Sequence, residues 1–343
     1  MRFIGSKNLL LENIHQVIKE KAPTAKSFFD VFSGTACVAR YFKKWYEVYS
    51  NDILYFSYVL QMGTVENDCI PSFDNLMNLT KGTNIIEYLN TRSTEDMEVL
   101  EQSKRFFQNT YAPTGGRMYI TDENALRIDF ARNTIEDWKT QGLITQYEYY
   151  YLVACVVEGI PFVSNISGTY GAYHKTWERR SHKVFQLVPL DVTTNNRNNR
   201  CYNEDGVALL TQISGDILYV DPPYNSRQYL PNYHVLETAA KYDYPEVRGI
   251  TGQRPYEGQK SDFCSKKTVL LAFEDLMRNA RFNHIILSYS SDGLMSVHDI
   301  EKVMKQQGKP SSFFIYEIPY RRYKSRELTK QDKLKEFLFY IEK

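Results

Sequence analysis

Apolar positions along this chain recur with two periods, and the way they alternate predicts a layered α/β architecture. In "NLLLENIHQVIKE" Leu9, Leu10, Ile14, Val17 and Ile18 fall on one helical face, and "KSFFDVF" after it is a short apolar run rich in β-favouring Phe and Val. "SGTACVARYFKKW" then enters a helix through small residues, and "YEVYSND" returns as a strand ending in Asp52. That order of strand, helix and strand opens a parallel sheet. The alternation stops near residue 64, where polar loops and amphipathic helices near 94–109, 122–140 and 144–159 take over. It resumes with "RCYNEDGVALLTQI", "DILYV", "FNHIILSYS", a helix at 296–306, "FFIYEIPY" and a closing "EFLFYIEK". The pattern predicts an α/β fold: a doubly wound, mostly parallel sheet from 1–63 and 201–343, with 64–200 inserted as a mainly helical region.

Composition narrows the class further. With 43% hydrophobic residues over 343 positions, the chain can bury one large core and a second small domain. Its most apolar run, "YYYLVACVVEGIPFV" (149–163), is short for a bilayer and holds Glu158 and Pro161, so it reads as a core helix and its exit. Cys37, Cys69, Cys155, Cys201 and Cys264 lack metal or redox spacing, and "MRFIGSK" has no secretory apolar core. A cytoplasmic protein with no membrane anchor is expected. The net charge of +1 neither requires nor excludes nucleic acid, but "HKTWERRSHK" (174–183), "NNRNNR" (195–200) and "RRYKSR" (321–326) are locally basic.

In an open α/β sheet, ligands sit beyond the carboxyl ends of the strands. "DVFSGTA" has the form of such a ligand turn: Gly34 can adopt a positive φ, while Ser33, Thr35 and Ala36 keep the turn small. Asp52, 18 residues after Gly34, suits a carboxylate accepting from ribose hydroxyls, or equally a cap for the helix "ILYFSYVL". Asp30, inside an apolar run, needs a ligand amine or a lysine as partner. Asn203 and Asp205 stand at another strand-to-helix junction, where either can read an adenine edge or cap the helix. Phe3, Gly5 and Lys7 precede the first helix, as a cofactor-facing segment or as an ordinary loop.

The stretch "DILYVDPPY" carries the sharpest signal. Neither Pro222 nor Pro223 can donate a backbone N–H, and both restrict φ, so Asp221 and the Pro222 carbonyl form a stiff pair of acceptors. Tyr224 adds a flat face on which a base can stack. The combination suits an exocyclic amino group on a planar heterocycle.

Taken together, these motifs resemble the Dam-like (D12) class of adenine-N6 DNA methyltransferases, which is typical of restriction-modification systems. "FIGSK", "DVFSGTA", "SNDI", "YNEDG" and "DPPY" occur in the family's order across almost the whole chain. One departure is Ala36, where the family loop carries a second glycine. The resemblance implies a Rossmann-like methyltransferase sheet, S-adenosylmethionine as cofactor, double-stranded DNA as partner and target recognition in the inserted region. It implies cofactor contacts from Phe3, Gly5, Lys7, Asp30, Phe32, Ser33, Gly34, Thr35, Asp52 and Asn203 or Asp205, and catalysis by Asp221, Pro222, Pro223 and Tyr224 on a flipped-out adenine, with no metal. A cognate restriction endonuclease without a stable complex is the further partner it implies. Tyr170, Lys175, Arg179, Arg180, Asn195, Arg197 and Tyr229 are the candidate DNA contacts. Cytosine N4, RNA or a glutamine amide remain alternative acceptors at this level, and a non-catalytic DNA-binding protein is a rival of another class.

Overall fold

The computed structural model describes residues 7–319 and 335–343. Phe3, Gly5 and the basic run 321–326 lie outside the described residues. The chain divides into two compact units, one of Lys7–Ile53, Asn195–Tyr229 and Gln259–Lys343, the other containing Leu54–Thr194 and Leu230–Gly258. Leu230–Gly258 thus clusters with the helices, although its position in the sequence groups it with the sheet.

The first unit holds a mixed, mostly parallel seven-stranded sheet in the order β3-β2-β1-β4-β5-β7-β6. Its strands are β1 (Ser27–Asp30), β2 (Glu47–Asn51), β3 (Arg200–Tyr202), β4 (Ser214–Val220), β5 (Arg281–Ser290), β6 (Phe314–Pro319) and β7 (Lys335–Glu342). Pairing is parallel from β3 to β5, and β7 runs antiparallel between β5 and β6. The last four residues of β4 are buried, as expected of a strand covered on both faces. Phe29, Val31, Leu218, Val220, Ile285 and Leu287 join one apolar core with Phe273 and Met277 of the helix Val269–Asn279. Strand order reverses between β1 and β4, and such a switch point opens a crevice at the carboxyl ends of the strands. Asp30 ends β1 and Asp221 follows β4, so both acids are carried to that edge.

The helical unit is built around Asp122–Thr140 and Gln146–Gly159. A capping box starts the second: Glu148 N–H donates to Thr145 Oγ1 (3.2 Å), and Thr145 N–H to Glu148 Oε2 (2.7 Å). The stretch 94–109, read from its periodicity as one helix, is broken into Thr94–Glu98, a turn at Gln102–Lys104 and Phe106–Tyr111. The break has a tertiary cause. The Asp129 carboxylate accepts from Phe107 N–H (2.8 Å) and Gln108 N–H (3.0 Å), capping a new helix start, while Arg105 turns back to the carbonyls of Leu100 and Glu98. Among the described residues no helix is long and apolar enough to cross a membrane.

Candidate active site

Two acids and a tight turn gather at the ends of β1 and β2. Asp30 is 1% exposed, and its Oδ2 accepts from Ser33 Oγ at 3.0 Å. Burial pushes its carboxyl group up to about 8, with the charges of Asp221 and Asp52 adding to the effect. Gly34 has φ 54°, and its N–H donates to Asp52 Oδ2 at 2.8 Å. One hydrogen bond therefore closes the 18-residue spacing seen in the sequence. The start of Tyr55–Gln61 is held by Glu237, whose two oxygens accept from Tyr55 N–H (3.0 Å) and Phe56 N–H (2.9 Å).

Ala36, at the family's second glycine, has φ 59° with its methyl fully buried. The left-handed region costs a residue with a Cβ about 1–2 kcal/mol, which explains why glycine is usual there; here the loop bears that cost. Asn203 donates from Nδ2 to the Asp52 carbonyl (2.7 Å). Asp205 Oδ1 accepts from Val207 N–H and Ala208 N–H, so of the two junction residues Asp205 is the helix cap. Sequence reading missed Asn51. Its amide is 1% exposed and donates to the carbonyls of Val31 and Glu204 at 3.1 Å each, while its Oδ1 accepts from Glu204 N–H, tying together the ends of three strands. Phe32 packs edge-on against Phe263, forming an apolar wall beside the turn.

The second half of the site follows β4. Pro222 is buried, and the Tyr224 carbonyl accepts from Leu294 N–H at 3.1 Å, which pins the end of the proline segment. The Tyr224 ring is partly buried against the sheet core, 5.8 Å from Lys7 Nζ. Lys7 directs its ammonium to two acids, Glu336 Oε1 at 2.7 Å and Asp221 Oδ1 at 3.0 Å. Ser288 Oγ donates to the same Glu336 oxygen at 2.9 Å. Burial pushes Asp221 up to about 7, with Lys7 pulling it down and Glu336 pushing it up. Burial disfavours the Lys7 ammonium, but the two carboxylates outweigh this and raise its pKa.

The candidate DNA contacts separate by exposure. Lys175, Arg179 and Arg197 are exposed and Tyr229 is half-buried. Arg180 is half-buried and bound internally, to the Ile166 carbonyl and to Glu178 (2.7 Å). Tyr170 needs correction: it is 2% exposed, with its phenol against Ser164 Oγ at 2.9 Å, so it packs and offers no face to DNA. Asn195 needs the same correction. Its amide donates to the carbonyls of Lys43 (2.9 Å) and Tyr46 (3.0 Å), a loop clamp that leaves no base-reading edge.

The raised carboxyl group of Asp30 makes the stability of the fold depend on pH. Its folded-state pKa lies above the unfolded carboxylate value of about 3.9, so the folded protein holds an extra proton and loses stability as pH rises from about 4 through 8. Asp30→Asn should be more heat-stable than wild type at pH 9 and indistinguishable from it near pH 4. Parallel Tm–pH curves for the two ligand-free proteins would contradict this.

Chemically, the first unit sets three carboxylates, of Asp30, Asp52 and Asp221, at the carboxyl ends of its strands, beside the aromatic faces of Phe32 and Tyr224. Acidic acceptors beside apolar walls, with the Lys7 ammonium already held by Asp221 and Glu336, suit a ligand that brings hydrogen-bond donors and a partly aromatic surface. Comparisons with known proteins give the family. Residues 3–306 match the family model described as D12 class N6 adenine-specific DNA methyltransferase. The chain is 49% identical over 346 residues to the type II methyltransferase M.FokI of Planomicrobium okeanokoites, covering 100% of this chain and 53% of that protein. It is 40% identical to the modification methylase StsI of Streptococcus sanguinis, covering 100% of this chain and 52% of the relative. The type II methyltransferase M.NlaIII of Neisseria lactamica is 35% identical, over 95% of this chain and 93% of its own length. The chain thus spans about half the length of the first two relatives and nearly all of the third. A family model matched over most of the sequence, and relatives aligned along its length, establish that the chain belongs to the D12 class of N6 adenine-specific DNA methyltransferases.

Proposed function

We propose that this chain is a site-specific DNA adenine-N6 methyltransferase that uses S-adenosylmethionine and acts on double-stranded DNA in the cytoplasm, as the modification partner of a restriction endonuclease. The observation that carries the reading is the rigid Asp221-Pro222-Pro223-Tyr224 segment at the strand-order switch point, beside the Asp30, Gly34 and Asp52 cluster. The residues present fit the cofactor. Asp30 is a buried acid with Ser33 on one oxygen, suited to the methionine ammonium; Asp52 presents an acceptor to the ribose hydroxyls; Asn203 stands on the adenine side. When bound, S-adenosylmethionine supplies a sulfonium methyl group for in-line transfer, with the S–C electron pair returning to sulfur.

The protein contributes orientation and hydrogen bonding. The adenine N6 lone pair is delocalised into the ring and is a poor nucleophile. Asp221 and the Pro222 carbonyl accept hydrogen bonds from its two N–H groups, which lets the nitrogen pyramidalise and aim its lone pair; once the C–N bond has formed, the methylated nitrogen sheds one proton to solvent. Because N6 is hidden in a duplex, the base must leave the stack, and Tyr224 offers the surface that receives it. Target recognition belongs to the helical region 64–200, where the exposed Lys175 and Arg179 are suited to phosphate or guanine contacts; Arg197, though exposed, donates to the Trp45 carbonyl and, like Arg180, is bound internally.

Expression in a host free of adenine methylation, followed by sequencing of its DNA, should show N6-methyladenine at one recurring sequence. Methylated cytosine, or unmodified DNA, would sink the reading. The stacking role has its own test. A base-to-aromatic stack is worth about 1–3 kcal/mol, so Tyr224→Ala should lose roughly 5- to 150-fold in kcat/KM while Tyr224→Phe stays near wild type. Equal activity of the two variants would remove the stack from the mechanism.

A further inference from the structure

The family match ends at residue 306, yet one of the groups that determine the surroundings of Asp221 lies beyond it. Glu336, on β7, sits opposite Ser290 of β5 and Ile318 of β6. Its side chain is 5% exposed, and no acid should be buried there without a purpose or a partner. It has two partners: Lys7 Nζ at 2.7 Å and Ser288 Oγ at 2.9 Å, both donating to Oε1. Lys7 is equally buried and reaches Asp221 Oδ1 at 3.0 Å, so a single ammonium is shared by two carboxylates. The shorter contact goes to Glu336, and the more exposed acid, with 17% of its side chain accessible, is Asp221.

We infer that Glu336 is a positioning residue for methyl transfer: it draws the Lys7 ammonium onto itself and holds it at one oxygen of Asp221, leaving the other oxygen to the target amine. This deepens the reading of Asp221 as acceptor for adenine N6 and rests on it. Without a second acid, an ammonium beside a buried carboxylate would move to bridge both oxygens, because the pair gains most from close contact where water is scarce. The lysine would then compete with the substrate. With Glu336 in place, Lys7 is anchored on β7, and Asp221 keeps an oxygen and an undiminished affinity for hydrogens.

The same arrangement sets a pH signature. Asp221 is raised to about 7 by burial, lowered by Lys7 and raised by Glu336. Other titratable groups around it are Asp30 on β1, Cys37 after the Gly34 turn, Tyr219 on β4, and Tyr224. Asp52 and Asp292 act at one remove, through Asp30 and Tyr224. Asp221 must be ionised to accept hydrogen bonds, so wild-type kcat/KM for DNA should fall as pH drops through about 7. In Glu336→Gln the charge of Lys7 acts on Asp221 undivided, so this acid limb should move down by about one pH unit. At pH 9, above both limbs, kcat should fall about tenfold because the ammonium now occupies the acceptor, while cofactor Kd and Tm stay near wild type. Glu336→Asp keeps the charge, and its limb should remain near that of wild type.

The test is the kcat/KM profile between pH 5 and 9 at saturating S-adenosylmethionine for wild type, Glu336→Gln and Glu336→Asp, with calorimetric cofactor binding and Tm as controls. An unmoved limb in a folded Glu336→Gln overturns the inference. Were that variant not to fold, the wild-type profile still decides, since an acid limb below pH 5 would mean that Lys7 acts on Asp221 without a competitor. Asp221→Ala separates the two levels of argument. If it abolishes transfer while Glu336→Gln leaves the limb in place, only the role of Glu336 falls; if it retains transfer, the assignment of Asp221 falls as well.

Discussion

Asp221→Ala should reduce methyl transfer by roughly 10²- to 10³-fold or more, the range seen when one preorganised hydrogen-bonding group is taken from a transition state. The loss should appear in kcat, with cofactor binding by calorimetry unchanged or tighter. The fold should survive the change for an electrostatic reason. Removing Asp221 leaves Lys7 paired with Glu336 at 2.7 Å, a charge-neutral buried pair, where wild type has two acids to one ammonium. It also takes one negative charge away from Asp30, whose ionisation Asp221 opposes. A drop in Tm together with a drop in kcat would mean that Asp221 holds the structure and does not act on the substrate. Near-normal turnover would remove it from the mechanism.

The second large effect is expected at Asp52. Its Oδ2 is the acceptor for the Gly34 N–H at 2.8 Å, so one side chain serves both the turn and, in the proposed function, the ribose. Hydrogen bonds to a charged group contribute about 1.5–3 kcal/mol each, and Asp52→Ala should therefore weaken S-adenosylmethionine by roughly 10- to 150-fold. Losing the Gly34 contact adds to this by freeing a turn that already holds Gly34 at φ 54° and Ala36 at φ 59°. Asp52→Asn retains an oxygen for Gly34 and should give an intermediate Kd. At saturating cofactor, kcat of both variants should approach that of wild type, which distinguishes Asp52 from Asp221. A Kd for Asp52→Ala equal to the wild-type value would exclude the cofactor role.

The placement of these two acids was legible in the sequence because both stand at the carboxyl ends of parallel strands. β1 and β4 hold short apolar runs and β2 is a short strand beside them, and the residues just past such strands are delivered to one edge of the sheet by topology alone. Short-range signals sufficed for the helices Asp122–Thr140 and Gln146–Gly159, since a helix and its cap are settled by neighbours three or four positions away. They also sufficed for the left-handed turn at Gly34.

Tertiary structure alone decided the partners. Lys7 and Glu336 are 329 positions apart in sequence, and they meet because β7 inserts antiparallel beside β5 and carries Glu336 next to Ser288. Glu237 caps a helix 182 residues earlier, and Asp129 restarts one in the middle of a stretch whose periodicity read as continuous. Tyr170 and Asn195 looked like DNA contacts beside basic residues, but one phenol is buried and one amide is consumed by backbone carbonyls. A polar side chain carries the same chemistry whether it faces solvent, substrate or a distant strand. The choice among these depends on desolvation and on which donors and acceptors strand register brings within about 3 Å, information that no local window of sequence contains.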